Sequence, residues 1–229
     1  IDKNACCLLI NILPDLEIFI SDQDKIIDNV TEALKLKSLM AMCESPELLV
    51  TFCPHLTDIT LHFVECDLSH LVSLPNLRKF SISNCNFDDI EAVLEASQLN
   101  FLRLSEVRDV NLKIVNSCKN LLTLELLQCS FQAEITDFNN IHFQTLQNLT
   151  IWEFYSTILE SLLPAYVSLK SVNLRNVPVL NDNIILSLVS KNKNTLIEVN
   201  LKSCGYLNVD TLKFVVDCCD SLNRLVYKN

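Results

Sequence analysis

One apolar triplet recurs down this chain at intervals of 20 to 27 residues, and that recurrence limits the folds open to it. Its first position holds Leu36, Leu56, Leu77, Leu99, Leu121, Leu146, Leu169, Leu196 and Leu222. The fourth position holds Leu39, Ile59, Phe80, Leu102, Leu124, Leu149, Val172, Val199 and Leu225. The sixth holds Ala41, Leu61, Ile82, Leu104, Leu126, Ile151, Leu174, Leu201 and Tyr227. The apolar period is two across the triplet, which predicts a strand. Between triplets it lengthens toward 3.6, as over Val209 to Val216, where Leu212, Val215 and Val216 share a helical face. One strand and one helix cannot bury their own apolar faces. They need a copy of themselves on either side, so the chain must stack as a solenoid. An earlier unit is expected at Leu13, Leu16 and Ile18, with residues 1–35 forming an irregular N-terminal unit or cap.

Strand parity then sorts the remaining positions. If the triplet points inward, the third, fifth and seventh positions point to the opposite, concave face of the sheet. Parallel units stack about 4.8 Å apart, so equivalent positions form columns. The seventh column is predicted as Met42, His62, Ser83, Ser105, Leu127, Trp152, Arg175, Lys202 and Lys228. The fifth is Met40, Thr60, Ser81, Arg103, Glu125, Thr150, Asn173, Asn200 and Val226. The third is Ser38, Asp58, Lys79, Phe101, Thr123, Asn148, Ser171, Glu198 and Arg224. Two groups stand out. Leu127 lies beside Trp152, the only Trp in the chain, with Phe101 nearby. This is either a binding hot spot or a ring packed on the irregular stretch Ser130 to Thr145. Arg175, Lys202 and Lys228 follow one another in successive rungs. They form either a cradle for an acidic or phosphorylated segment or an ordinary solvated face, and Glu198 is a candidate to neutralise them. The expected protein-binding residues are Phe101, Arg103, Glu125, Leu127, Trp152, Asn173, Arg175, Asn200, Lys202 and Lys228.

Cysteine placement adds a resemblance. Cys53, Cys118 and Cys219 stand three residues before Leu56, Leu121 and Leu222, and Cys85, Cys129 and Cys204 hold the ninth position. The chain resembles leucine-rich repeat proteins of the cysteine-containing class, found in F-box/LRR substrate receptors. Val107, Phe154 and Val177 depart from the ninth-position Cys. The resemblance implies an α/β solenoid, with a curved parallel sheet on the concave side and helices or irregular segments on the convex side. It also implies a Skp adaptor and a cullin, bound through an F-box upstream of Ile1. Leu13-Pro14 is similar to an F-box opening. The repeat register already explains that stretch, however, and the Trp-containing end of an F-box is missing.

Several function classes are disfavoured. The formal net charge is −10, with 18 acidic and 8 basic side chains in residues 1–110 against 10 and 10 in residues 111–229. An acidic solenoid repels phosphate, so nucleic acid is not an expected partner. The single glycine, Gly205, excludes Gly-rich phosphate cradles. The four histidines, His55, His62, His70 and His142, have no metal-ligand spacing with Cys or carboxylate. No nucleophile–base arrangement is evident, and no enzyme, cofactor or metal is expected. Charges interrupt every long apolar stretch, so no membrane span is expected. The 11 cysteines read as small core fillers of a reduced, cytoplasmic or nuclear protein rather than a disulfide set. The sequons at Asn29 and Asn148 are discounted accordingly.

Along the outer side, helices are expected from Ser21–Asp24 to about Leu34, from Pro46, over Asn86–Ala96, Asp109–Asn116, Asp182–Val189 and Val209–Val216. The run Cys6-Cys7 to Ile10 is expected to face inward. Within Ser130–Thr145, Phe131, Ile135, Phe138, Ile141 and Phe143 belong either to a lengthened unit packed inward or to a functional loop. The expectation is one domain over residues 1–229, with nine or ten repeats. Because the chain begins at Ile1, it is expected to be a piece of a longer protein. The function expected is non-enzymatic protein recognition, as the substrate-binding part of an F-box/LRR ubiquitin ligase receptor. The alternative is a scaffold or assembly subunit of a larger complex without an F-box.

Overall fold

The structure, a computed structural model, describes residues 15–20, 34–42, 46–62, 66–96, 98–132, 143–156 and 158–228. Ten strands form a single curved sheet in sequence order, every neighbouring pair parallel. In chain order the elements are β1 (Ile18–Ile20), β2 (Ser38–Met42), α1 (Pro46–Phe52), β3 (Asp58–His62), β4 (Lys79–Ser83), α2 (Glu91–Ala96) and β5 (Phe101–Ser105). They continue with α3 (Leu112–Val115), β6 (Thr123–Leu127), β7 (Asn148–Trp152), α4 (Leu159–Leu162), β8 (Ser171–Arg175), α5 (Asp182–Asn192), β9 (Glu198–Lys202), α6 (Val209–Cys218) and β10 (Arg224–Lys228). Parallel neighbours require a crossover, and among the described residues the crossovers are the convex segments of the repeats. The triplet's first, fourth and sixth positions from Leu36 to Leu201 are buried in one continuous core. Those of the last rung, Leu222, Leu225 and Tyr227, are half-buried.

The first unit is registered differently from the sequence expectation. Ile18 pairs with Ser38 and Phe19 with Leu39, so Ile18 is a third-position residue, not a sixth. Ile18 and Ile20 are 60% and 70% exposed, whereas Leu16 and Phe19 pack on the core. Two alternatives competed for the inward position, and the larger Phe19 won, because it buries more apolar area than Ile18. Lys35 Nζ to Asp15 and Lys37 Nζ to Glu17, both 2.5 Å, hold the same 20-residue step. Leu13, the run from Cys6-Cys7 to Ile10, and the helix expected from Ser21 lie outside the described residues.

The convex side is less regular than the periodicity suggests. The helix expected over Asn86–Ala96 splits into a 3-10 turn at Phe87–Asp89 and α2, with Asn86 and Asp89 capping each other's backbone. The segment expected over Asp109–Asn116 keeps only the four residues of α3, and the cap is Asn111, whose side chain accepts from Lys113 N. Asp109 sits outside it at φ 56°. Unit length alone does not set this, since the 20-residue unit from Leu36 to Leu56 holds the seven residues of α1. The two longest units, of 27 and 26 residues, hold the longest described helices. α5 runs to Asn192, three residues past Val189, and α6 to Cys218. In the stretch Ser130–Thr145, Phe131 packs on Phe154 at 5.0 Å and Phe143 stacks on Tyr166 at 4.9 Å, so both ends turn inward. Ile135, Phe138, Ile141 and His142 lie outside the described residues.

The cysteines take the expected places. Cys53, Cys85, Cys118, Cys204 and Cys219 are buried and Cys129 is half-buried, all as free thiols. The ninth-position thiols of Cys129 and Cys204 donate to Leu104 O and Leu174 O of the preceding rung, each at 3.3 Å. Cys118 Sγ donates to Leu94 O at the end of α2, also at 3.3 Å. A serine would fit the bond and an alanine the burial. Cysteine, a small hydrophobe with a weak donor, meets both demands.

Candidate protein-binding face

The register confirms the three columns rung by rung, from Met42 to Lys228 in the seventh, Met40 to Val226 in the fifth and Ser38 to Arg224 in the third. All ten expected site residues stand in these columns. A cleft of about 260 Å³ gathers Arg103, Glu125, Leu127, Trp152, Asn173 and Arg175, together with Thr150. Phe101 joins through Arg103, whose guanidinium carbon lies 5.8 Å from the Phe101 ring centre, within cation–π range. Lys202 and Lys228 extend the column beyond the cleft.

The ion pairs divide the face. Arg103 Nε donates to Glu125 Oε2 at 2.5 Å, so the central rungs neutralise themselves. Glu198 is taken by Arg224, 2.9 Å away in its own third column. It does not balance the seventh column as the sequence allowed. Arg175 Nε donates to Asn173 Oδ1 at 3.2 Å. Among the described residues no carboxylate lies within salt-bridge distance of Arg175, Lys202 or Lys228. Two such charges held at the rung spacing near 5 Å would repel by about 0.8 kcal/mol in water, which the long side chains relieve by splaying their heads apart.

Trp152 is 42% exposed. Phe131 and Phe143, the described ends of Ser130–Thr145, pack against buried Phe154 and Tyr166, which separates them from the concave ring of Trp152. Asn200 departs from expectation, being only 5% exposed, and its Oδ1 has no hydrogen-bond partner among the described residues. Toward the N-terminal rungs the face becomes a small-residue floor. Ser81 and Ser83 are buried, His62 Nδ1 lies 2.7 Å from Ser83 Oγ, and a second cleft of about 340 Å³ opens above them. The sequon residue Asn148 is half-buried here and donates to Thr123 Oγ1 at 3.1 Å.

A further column went unread in the sequence. The eighth position of six successive rungs, Asn84, Glu106, Gln128, Glu153, Asn176 and Ser203, is left-handed, with φ from 51° to 57°. Each N–H donates to the seventh-position carbonyl of the next rung, at 2.7 to 3.0 Å. This turn ends β4 to β9 at the same residue and aligns the seventh column over those rungs. None of the six is β-branched, which is the local signal that a left-handed residue leaves. Glu153 accepts from Gln128 and from Asn176 along this rim.

Among the described residues, no group of three or more His, Cys, Asp or Glu is placed to hold a metal ion. No helix among them is long and apolar enough to cross a membrane.

No protein-family model matches the chain, and no curated protein matches it. Among solved structures, it is similar to a crystal structure of an internalin from Listeria monocytogenes, with a TM-score of 0.60 at 15% identity. The match covers 100% of this chain and 65% of the internalin chain. That likeness is one of fold, and with the ten-stranded parallel sheet it identifies the architecture as a leucine-rich repeat solenoid.

Proposed function

We propose that this chain is a non-enzymatic protein-recognition module that seats its partner on the concave face around Trp152. The observation that carries this reading is the exposure of that ring on a rigid strand, at the wall of a cleft it shares with Leu127 and Arg175. A large aromatic held in place loses little conformational entropy on binding and gains much from desolvation, which is why such rings become hot spots. The finer reading is the substrate-binding part of an F-box/LRR ubiquitin ligase receptor. Its support is the placement of six cysteines at the two positions that class favours. A Skp adaptor and a cullin would then be recruited by an F-box elsewhere in the full protein. Eight free cysteines among the described residues suit a cytoplasmic or nuclear location.

A second reading, a scaffold subunit without an F-box, is favoured by one observation. Tyr206, and Val209 and Val216 on one side of α6, are exposed. The test is affinity capture with the wild-type chain and with Trp152→Ala. The expected result is a stoichiometric partner that Trp152→Ala loses, accompanied by Skp and cullin when the full-length protein is used. An unchanged partner set with Trp152→Ala overturns the concave reading. A Trp152-dependent partner without Skp or cullin overturns the ligase reading alone.

A further inference from the structure

We propose that the C-terminal end of the concave face binds an extended segment rich in Asp and Glu, with Arg175, Lys202 and Lys228 taking its carboxylates and Asn200 its backbone. The inference rests on the concave face being a recognition surface, and it names the chemistry of what is recognised.

Three observations converge. The first is the row itself. Arg175, Lys202 and Lys228 are aligned in three consecutive rungs. Of the neighbouring carboxylates, Glu198 is ion-paired to Arg224 and Glu125 to Arg103, while Glu153 is turned along the rim by the amides of Gln128 and Asn176 and forms no ion pair with the row. A row of like charges with no internal counterion is complementary to an external one. The second is Asn200, in the adjacent fifth column. Its amide oxygen is buried and lacks a donor among the described residues. Buried acceptors are normally satisfied, and once the Asn200 amide turns outward a strand-like ligand lying over this column offers it backbone N–H groups. The third is spacing. Three rungs span about 10 Å, the advance of about three residues of extended chain at roughly 3.3 Å each. The charges are therefore distributed along a line. That suits a string of carboxylates better than a single phosphate, which calls for donors converging on one point. Trp152 continues the same column next to Arg175, so an apolar residue preceding the acidic run would meet the ring.

The test uses the whole chain and a synthetic peptide with a leucine followed by a run of glutamates, labelled with fluorescein. Anisotropy reports affinity, and emission from the single Trp reports whether the peptide reaches the concave face. The glutamate peptide is expected to bind and to shift Trp152 emission. Its glutamine analogue should bind more weakly by roughly tenfold or more, the scale of charge-assisted contacts. Added salt should weaken the glutamate peptide alone. The charge-reversed chain Arg175→Glu, Lys202→Glu, Lys228→Glu should lose binding, and the milder Lys202→Gln, Lys228→Gln chain, which relieves repulsion and keeps the fold, should lose part of it. Equal affinity for the glutamate and glutamine peptides overturns the inference, as does binding untouched by the milder chain or no binding at all. A phosphoserine peptide that binds more than roughly tenfold tighter than the glutamate peptide overturns it in favour of a phosphate site. None of these outcomes removes the concave recognition surface, which stands or falls on the loss of the captured partner with Trp152→Ala.

Discussion

Arg224 Nη1 donates to Glu198 Oε1 at 2.9 Å across the last two strands, and this pair decides the charge of the C-terminal face. It engages the carboxylate that shares β9 with Lys202, four residues along the strand. The pair is itself exposed, with side chains 60% and 33% accessible. Arg224→Ala should therefore change stability by less than about 1 kcal/mol. The urea midpoint checks this. A loss above about 2 kcal/mol would show that the pair, not the core, holds β10 in place.

Asn192 is the most highly connected buried polar side chain among the described residues. At the end of α5 its Oδ1 accepts from Leu169 N at 2.8 Å, and its Nδ2 donates to Tyr166 O and Leu188 O, both at 2.9 Å. It ties one rung's helix to the entry of the preceding strand. Asn192→Ala strands three buried backbone groups and should destabilise by about 3 kcal/mol or more. Thermal unfolding reads this loss, and Asn192→Asp should lose at least as much, because it turns a buried carboxylate oxygen toward the carbonyls of Tyr166 and Leu188. A loss below about 1 kcal/mol for Asn192→Ala would contradict the assignment.

Gly205 permits a close backbone crossing. A Cβ at this position would lie 1.9 Å from Leu180 O and 2.8 Å from Pro178 O. Gly205 N also donates to Val177 O at 3.0 Å, so the turn cannot simply swing away. Gly205→Ala should destabilise by about 2 kcal/mol or more through forced overpacking. A chemical melt within about 0.5 kcal/mol of wild type would show that the neighbouring loop yields freely.

Burial pushes the Cys53, Cys85 and Cys118 thiols up to about 12 from an ordinary value near 9. In Cys85 the charges of Asp89 and Cys129 add to the desolvation. In the folded chain these thiols keep their protons well past the pH at which the unfolded chain loses them. Their contribution to stability is therefore whole below about pH 9 and is lost as pH rises toward 12. A thiol reagent at pH 8 should leave all three unmodified until denaturant is added. Rapid native modification of Cys53 or Cys118 would show that the core between rungs opens.

The concave columns were legible because their cause is local. Period-two alternation sets each residue's face, and stacking of parallel units repeats it. Trp152, Leu127 and Arg175 could therefore be placed together from spacing alone, although 25 and 23 residues separate neighbours in that column. The cysteines were legible from their fixed offsets to each triplet and from the family resemblance those offsets carry. Parity says which face a side chain takes but not how deep it lies, so Asn200 was read as concave and not as buried.

What the sequence determined by itself was the solenoid, its rung order and the membership of each column, because the triplet leaves a single way to bury every unit against its neighbours. The tertiary structure alone decided three things. It chose Phe19 over Ile18 as the inward residue of the first strand, a contest of buried area between two registers that differ by three residues. It gave Glu198 to Arg224 rather than to the Arg175–Lys228 row, because the two stand opposite each other in the third column while the row lies four residues along the strands. It also bent the eighth position of six rungs into a left-handed residue, which turns the chain off the sheet just after its N–H has bonded the seventh-position carbonyl of the next rung.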